Sequence, residues 1–153
     1  MKRLPVLSPL LAALAPVPAL VLAAAILFPA PAAAEAPAKL TLTVTGIKDV
    51  KGALMIAVFD QAGYDTDKPV TRAAAPVTAA SVTTTFDLPA GQYGIKMFHD
   101  VDGDGKMAAN PFGMPLEPYA FSNNAPAQFG PATWAAAAFK VDAPATAAAI
   151  KLN

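Results

Sequence analysis

From residue 40 the chain alternates apolar and hydroxylated side chains, LTLTVT, and a period of two predicts a strand with one buried face. Leu40, Leu42 and Val44 face the core in this reading, and Thr41, Thr43 and Thr45 face water. Gly46 permits the turn that follows, which runs to Lys51 and Gly52. Residues 53–59, ALMIAVF, are apolar throughout, which predicts a strand covered on both sides. A helix there is disfavoured by the short length, the β-branched Ile56 and Val58 and the glycine punctuation. Residues 60–76 carry Gly63, Pro69 and Pro76 and read as a long surface loop with an edge segment near Val70.

The run from Val77 to Leu88 is rich in Val and Thr and predicts a third strand, with Val82, Thr84 and Phe86 alternating against Thr83, Thr85 and Asp87. Leu88-Pro89-Ala90-Gly91 supplies a preset φ and then a permissive glycine, which predicts a tight turn and a hairpin. The returning strand, residues 92–99, places Tyr93, Ile95 and Met97 on one face and Lys96 with Phe98 on the other. After a long loop, the alanine-rich TWAAAA predicts one or two helical turns with Thr133 as N-cap. Residues 139–141 and 148–152 resume strand-like alternation, with Ile150 and Leu152 inward. Short strands, Gly/Pro turns and no βαβ alternation predict an all-β chain, a single antiparallel β-sandwich with one long ordered loop and one short helical turn.

Composition changes this picture first at the N-terminus. Of 153 residues 55% are hydrophobic, a figure inflated by the stretch from Leu4 to Ala34, which holds no charged residue. Lys2 and Arg3, an apolar run densest over residues 19–28, and Ala32-Ala33-Ala34 form the pattern of a secretory signal peptide, residues 1–34. A permanent anchor is disfavoured because Pro5, Pro9, Pro16 and Pro18 leave less than the ~20 uninterrupted apolar residues of a span. The β-sandwich domain is then residues 35–153, exported to the periplasm or beyond the cell, with no membrane span after cleavage. That length needs no disulfide to build a core, and the sequence has no cysteine. Removing Lys2 and Arg3 leaves nine basic against eleven acidic side chains, with the basic ones scattered singly. Nucleic acid is therefore excluded as a partner, since phosphate binding needs clustered Lys and Arg.

The chemistry concentrates in residues 98–124. Asp100, Asp102 and Asp104 recur at every second position before Gly105, and the Lys106 carbonyl can turn inward. This is the first half of an EF-hand loop, in which side-chain oxygens at positions 1, 3 and 5 and a backbone oxygen at 7 surround Ca²⁺. Three anionic oxygens with no thiolate nearby favour Ca²⁺ over softer metals. The second half departs, with Ala108 at position 9 and Pro111 at position 12, so a helix-free loop of weak affinity is expected, completed by Asn110, Glu117 or water. The competing reading is a solvated turn in which the carboxylates cap backbone N–H groups. Like-charge repulsion argues for a cation or a donor close by.

His99 beside Asp100, with Glu117 or Ser122 as partner, invites a hydrolase reading. Against it stand the absence of a second histidine and of a G-x-S-x-G elbow. His99 could equally tie the loop down through a carbonyl or through Asn123. Tyr119, Phe121, Asn123 and Asn124 combine aromatics with amides, a composition that suits a small-ligand or protein surface and equally suits a packed loop. Together with His99 and Glu117 they form the candidate ligand surface, while Trp134 reads as core or rim packing.

These residues also carry a resemblance. Leu88-Pro89-Ala90-Gly91-Gln92-Tyr93, His99-Asp100 with the Asp/Gly loop, Lys106-Met107, Gly113-Met114-Pro115, Glu117-Pro118-Tyr119, Phe121-Ser122-Asn123-Asn124, Phe129-Gly130-Pro131 and Ala138-Phe139 occur in that order. The chain from about Lys39 to the C-terminus resembles the exported bacterial family catalogued as domain of unknown function 2141. Ala108 and Leu116 depart from that family's usual acidic residue and lysine. The resemblance implies an exported β-rich domain and supplies no activity; at fold level it is similar to prealbumin-like and immunoglobulin-like sandwiches. The expectation is a non-enzymatic envelope module that binds a small molecule or protein and holds Ca²⁺ weakly. The alternatives are a periplasmic hydrolase using His99 with a carboxylate, and a purely structural accessory domain.

Overall fold

β1 (Pro37–Thr45) runs between β4 (Val82–Pro89) and β8 (Ala145–Lys151) in one sheet, while a second sheet has the order β3 (Thr71–Pro76), β2 (Ala53–Phe59), β5 (Gly91–Asp100), β6 (Tyr119–Phe121). The computed structural model describes residues 37–152. The stretch read as a signal peptide lies outside the described residues. β7 (Phe139–Val141) also pairs with β5, next to its first residues. The two sheets pack together in a sandwich-like arrangement around Leu40, Leu42, Val44, Leu54, Ile56, Val58, Ile95 and Ile150, all at most 2% exposed. Each such aliphatic side chain contributes about 1.5–3 kcal/mol on burial, which is why alternation along β1 and β5 fixes the inward face so firmly.

Two expectations about pairing are corrected. No hairpin joins β4 to β5: β4 pairs with β1, and β5 with β2, so the Pro89–Gly91 corner carries the chain from one sheet to the other. Phe86 and Leu88 then face the core from one side, and Tyr93, Ile95 and Met97 face it from the other. The Tyr93 hydroxyl donates to the Pro89 carbonyl at 3.0 Å and pins that corner, as a tyrosine corner does in sandwich folds. Nor is the arrangement antiparallel throughout. β8 runs parallel to β1, Leu42 opposite Ala148, because the chain crosses back from β7 in the other sheet before it joins β1.

The region 60–76, expected as a loop, holds two elements. Asp60 caps the short helix α1 (Gln61–Tyr64), its carboxylate accepting the Gly63 N–H at 2.7 Å, and β3 forms the sheet edge against β2. The strand expected from Val77 begins only at Val82. The helical turn is α2 (Trp134–Ala137), with Thr133 at the N-cap position but no side-chain cap bond.

β6 and β7 lie along the same edge of β5. β6 pairs with Lys96 to Phe98, and β7 with Gly91 to Tyr93. Residues 122–138 leave and rejoin the edge between them. Ser122 fills the gap: its hydroxyl oxygen accepts the Ile95 N–H at 2.8 Å and donates to the Ala137 carbonyl at 2.5 Å, both bonds fully buried.

Candidate functional site

Strand alternation gives the second sheet an outer face, and the register arranges it in two rows. Ala74, Met55, Phe98 and Tyr119 stand side by side on β3, β2, β5 and β6, and Arg72, Ala57, Lys96 and Phe121 form the next row. Rows two residues apart are separated by about 7 Å, and four neighbouring strands span about 14 Å. A cavity of about 1240 Å³ lies over this face, roomy beside the ~300–1,000 Å³ of ordinary ligand pockets. Met107, Phe112 and Met114 contribute from one side, and Phe129 and Pro131 from the other. Phe112 is 88% exposed, and Met114 and Phe129 are also exposed. The charged side chains lining the groove are Asp67, Arg72 and Lys96.

The other part of this outer face is closed. Phe59, Tyr64, Phe121, Ala125, Ala132 and Ala137 form a second apolar cluster under residues 122–137. The Tyr64 ring packs edge-on against Phe59 and Trp134, in space that only Gly94 leaves: a Cβ there would meet the Tyr64 ring at 2.8 Å. Burial, reinforced by the Asp65 charge, pushes the Tyr64 hydroxyl up to about 12. The Lys96 ammonium lies over the Tyr64 and Phe59 rings, donates to the Tyr64 carbonyl at 2.6 Å and pairs with Asp67 at 3.6 Å.

The acidic turn roots one wall of the groove at the end of β5. Buried Asp100 accepts the N–H groups of Gly103 at 2.8 Å and Gly105 at 2.9 Å. Glu117 clamps the turn from outside, accepting Val101 N–H and Ala108 N–H, each at 2.9 Å. Asp102 and Asp104 accept from the backbone two residues on, Asp104 at 3.2 Å and Lys106 at 2.7 Å respectively. The donors that like-charge repulsion calls for are thus supplied by the backbone itself. Beyond the turn the Asn110 side-chain oxygen accepts from Phe112 and Met114 N–H, and Leu116 N–H donates to the Ala108 carbonyl. That folds the Phe112–Met114 tip into a small turn of its own.

Of the residues proposed as metal ligands, the fold brings Asp100 and Asp102 together with Glu117, with one carboxylate oxygen of each within 4.8 Å of the others. This acidic triad could hold a metal ion. Asp104 stands outside the triad and accepts the Lys106 N–H, and the Asn110 side-chain oxygen is engaged by the tip it organises. Glu117, seventeen positions on from Asp100, takes the place that the EF-hand pattern assigns locally.

The candidate ligand surface divides. Tyr119 and Phe121, edge-on at 5.8 Å, line the groove. His99 is 1% exposed; its Nε2 pairs with the Lys51 carbonyl at 2.7 Å and its main-chain N–H with Pro118. Ser122, considered as its partner, bonds Ile95 and Ala137 instead. The Asn123 amide donates to the Ala136 and Ala138 carbonyls, and Asn124 accepts the Lys151 N–H at 2.8 Å. These amides are occupied holding residues 122–138 to α2 and β8. Sequence reasoning missed Met55, Arg72 and Phe98. Strand alternation puts Phe98 on the side away from the core, and an apolar side chain there is the available signal.

Two packed sheets, a loop-walled apolar groove and an acidic turn define a β-rich, sandwich-like domain. Its sequence places it more narrowly: the chain belongs to the family described as "Uncharacterized protein conserved in bacteria (DUF2141)", whose profile matches residues 42–149. No curated protein and no solved structure matches it.

Proposed function

We propose that this is an exported, non-enzymatic β-sandwich module of the prealbumin-like or immunoglobulin-like kind that binds a small apolar ligand of the cell envelope. Its site is the groove over the outer face of the second sheet. The observation that carries this reading is the groove itself: an apolar floor of Met55, Phe98 and Tyr119, open to solvent and bordered by exposed Phe112, Met114 and Phe129. Contiguous exposed apolar surface of this kind marks binding sites on otherwise soluble proteins. A neutral apolar dye such as Nile red is expected to bind with enhanced fluorescence, and Phe98→Glu to weaken it at least about tenfold by putting a charge on the floor. Dye binding that survives Phe98→Glu unchanged would sink the groove as the site.

Ca²⁺ enters this reading as a support for the wall, held by the Asp100, Asp102 and Glu117 oxygens. Oxygens shared with backbone donors and a short ligand set place the affinity near the ~10⁻⁴–10⁻³ M of extracellular modules. The melting temperature is expected to rise modestly in millimolar Ca²⁺ relative to chelator, since a ligand at ~1–10 times its Kd adds about 0.4–1.4 kcal/mol. Asp102→Ala should erase that rise with little effect in chelator, because exposed Asp102 makes only one long backbone bond. Superimposable melting curves with and without Ca²⁺ would remove the ion from the reading.

A further inference from the structure

We infer that the groove's ligand is a single-chain amphiphile with one anionic head, an alkyl carboxylate, whose head is recognised by Arg72 and whose chain lies along the Met55–Phe98–Tyr119 row. The inference rests on the groove being the binding site and adds the ligand class. Its ground is the charge on the groove floor. Lys96 is already committed, to the Tyr64 carbonyl, two aromatic faces and Asp67. Arg72 is exposed, lines the same groove, and its guanidinium makes no hydrogen bond or ion pair among the described residues. The three charged lining side chains sum to one net positive charge, and that charge is Arg72's. A guanidinium fork matches a carboxylate bidentately.

The apolar part fits a flexible chain better than a rigid ring system. Met55, Met107 and Met114 are among the residues that line the cavity, and unbranched methionine side chains adapt to variable apolar shapes. By register Arg72 sits on β3, one row from Ala74, Met55 and Phe98. A head at Arg72 therefore lies about 7 Å from the start of an apolar path that crosses about 14 Å of sheet. A neutral lipid would leave Arg72, the unpaired cation among the described residues lining the groove, without an anionic partner.

The test is displacement of Nile red from the purified exported protein by tetradecanoate and by tetradecanol, which share a chain and differ in the head. Tetradecanoate is expected to displace at concentrations about tenfold lower, the gain of one charge-assisted pair. Arg72→Gln should bring tetradecanoate to the level of tetradecanol and leave the alcohol unchanged; Arg72→Lys should recover part of the preference. Arg72 is exposed on an edge strand, so neither variant threatens the fold. Equal displacement by acid and alcohol leaves the groove as a site and overturns the carboxylate head. Failure of the dye to bind, or a dimer that excludes it, overturns both.

Discussion

Ser122→Ala is expected to lower the unfolding free energy by about 3 kcal/mol, the largest loss from removing any single polar atom described above. The hydroxyl serves two backbone groups that have no other described partner: Ile95 N–H at the break between β6 and β7, and the Ala137 carbonyl at the end of α2. Leaving a buried donor or acceptor without its bond costs about 1–3 kcal/mol, and this change leaves one of each. Urea unfolding of the two proteins measures the difference at constant m-value. A loss below about 1 kcal/mol would mean that water reaches the gap and replaces the hydroxyl.

The second large effect is steric. Gly52 precedes β2 with φ of +68°, and a Cβ there would lie 2.0 Å from the Asp100 carbonyl oxygen, a backbone atom with no freedom to turn aside. Gly52→Ala must therefore open the start of the β2–β5 ladder, where Ala53 faces Asp100, as well as adopt left-handed backbone. Gly103, with φ of +80°, has nothing within 4 Å of the same position. Gly103→Ala carries only the left-handed penalty, about 1–2 kcal/mol. Gly52→Ala should exceed it by at least about 2 kcal/mol, the scale of overpacking. Comparable losses in the two variants, read from thermal or urea unfolding, would show that the contact relaxes without cost.

What could be read from the sequence was mostly which way each strand faces. Leu40, Leu42 and Val44 alternate with threonines, and Tyr93, Ile95 and Met97 with Lys96 and Phe98, so burial energetics declared the inner face directly. Alternation does not say which sheet a strand joins. Pro89-Ala90-Gly91 serves a hairpin and a crossing corner equally well, and only the β1–β4 and β2–β5 ladders decide between them. β3 was obscured because Ala73, Ala74 and Ala75 show no contrast between faces. The acidic turn was legible as a cluster but incompletely so. Local spacing names Asp100, Asp102 and Asp104, whereas Glu117 reaches the site only because the chain doubles back through β6 beside β5. The groove was hidden in a continuous apolar segment, ALMIAVF, where Met55 on the outer face looks no different from Leu54 on the inner.

The break in the β6–β7 edge separates two tasks that are usually entangled. Residues 122–138 depart from and return to a single ladder, and their two ends are fastened side by side by Ser122 and Asn123. Between the buried anchors Ala125 and Ala132, residues 126–131 are all exposed, so their content can vary without disturbing the second apolar cluster, while they supply Phe129 and Pro131 to the groove. In the proposed groove reading, selectivity is open to change at residues 126–131 at small risk to the scaffold. On the same reading, variation is expected to be tolerated at residues 126–131 before it is tolerated at Met55, Phe98 and Tyr119 of the floor.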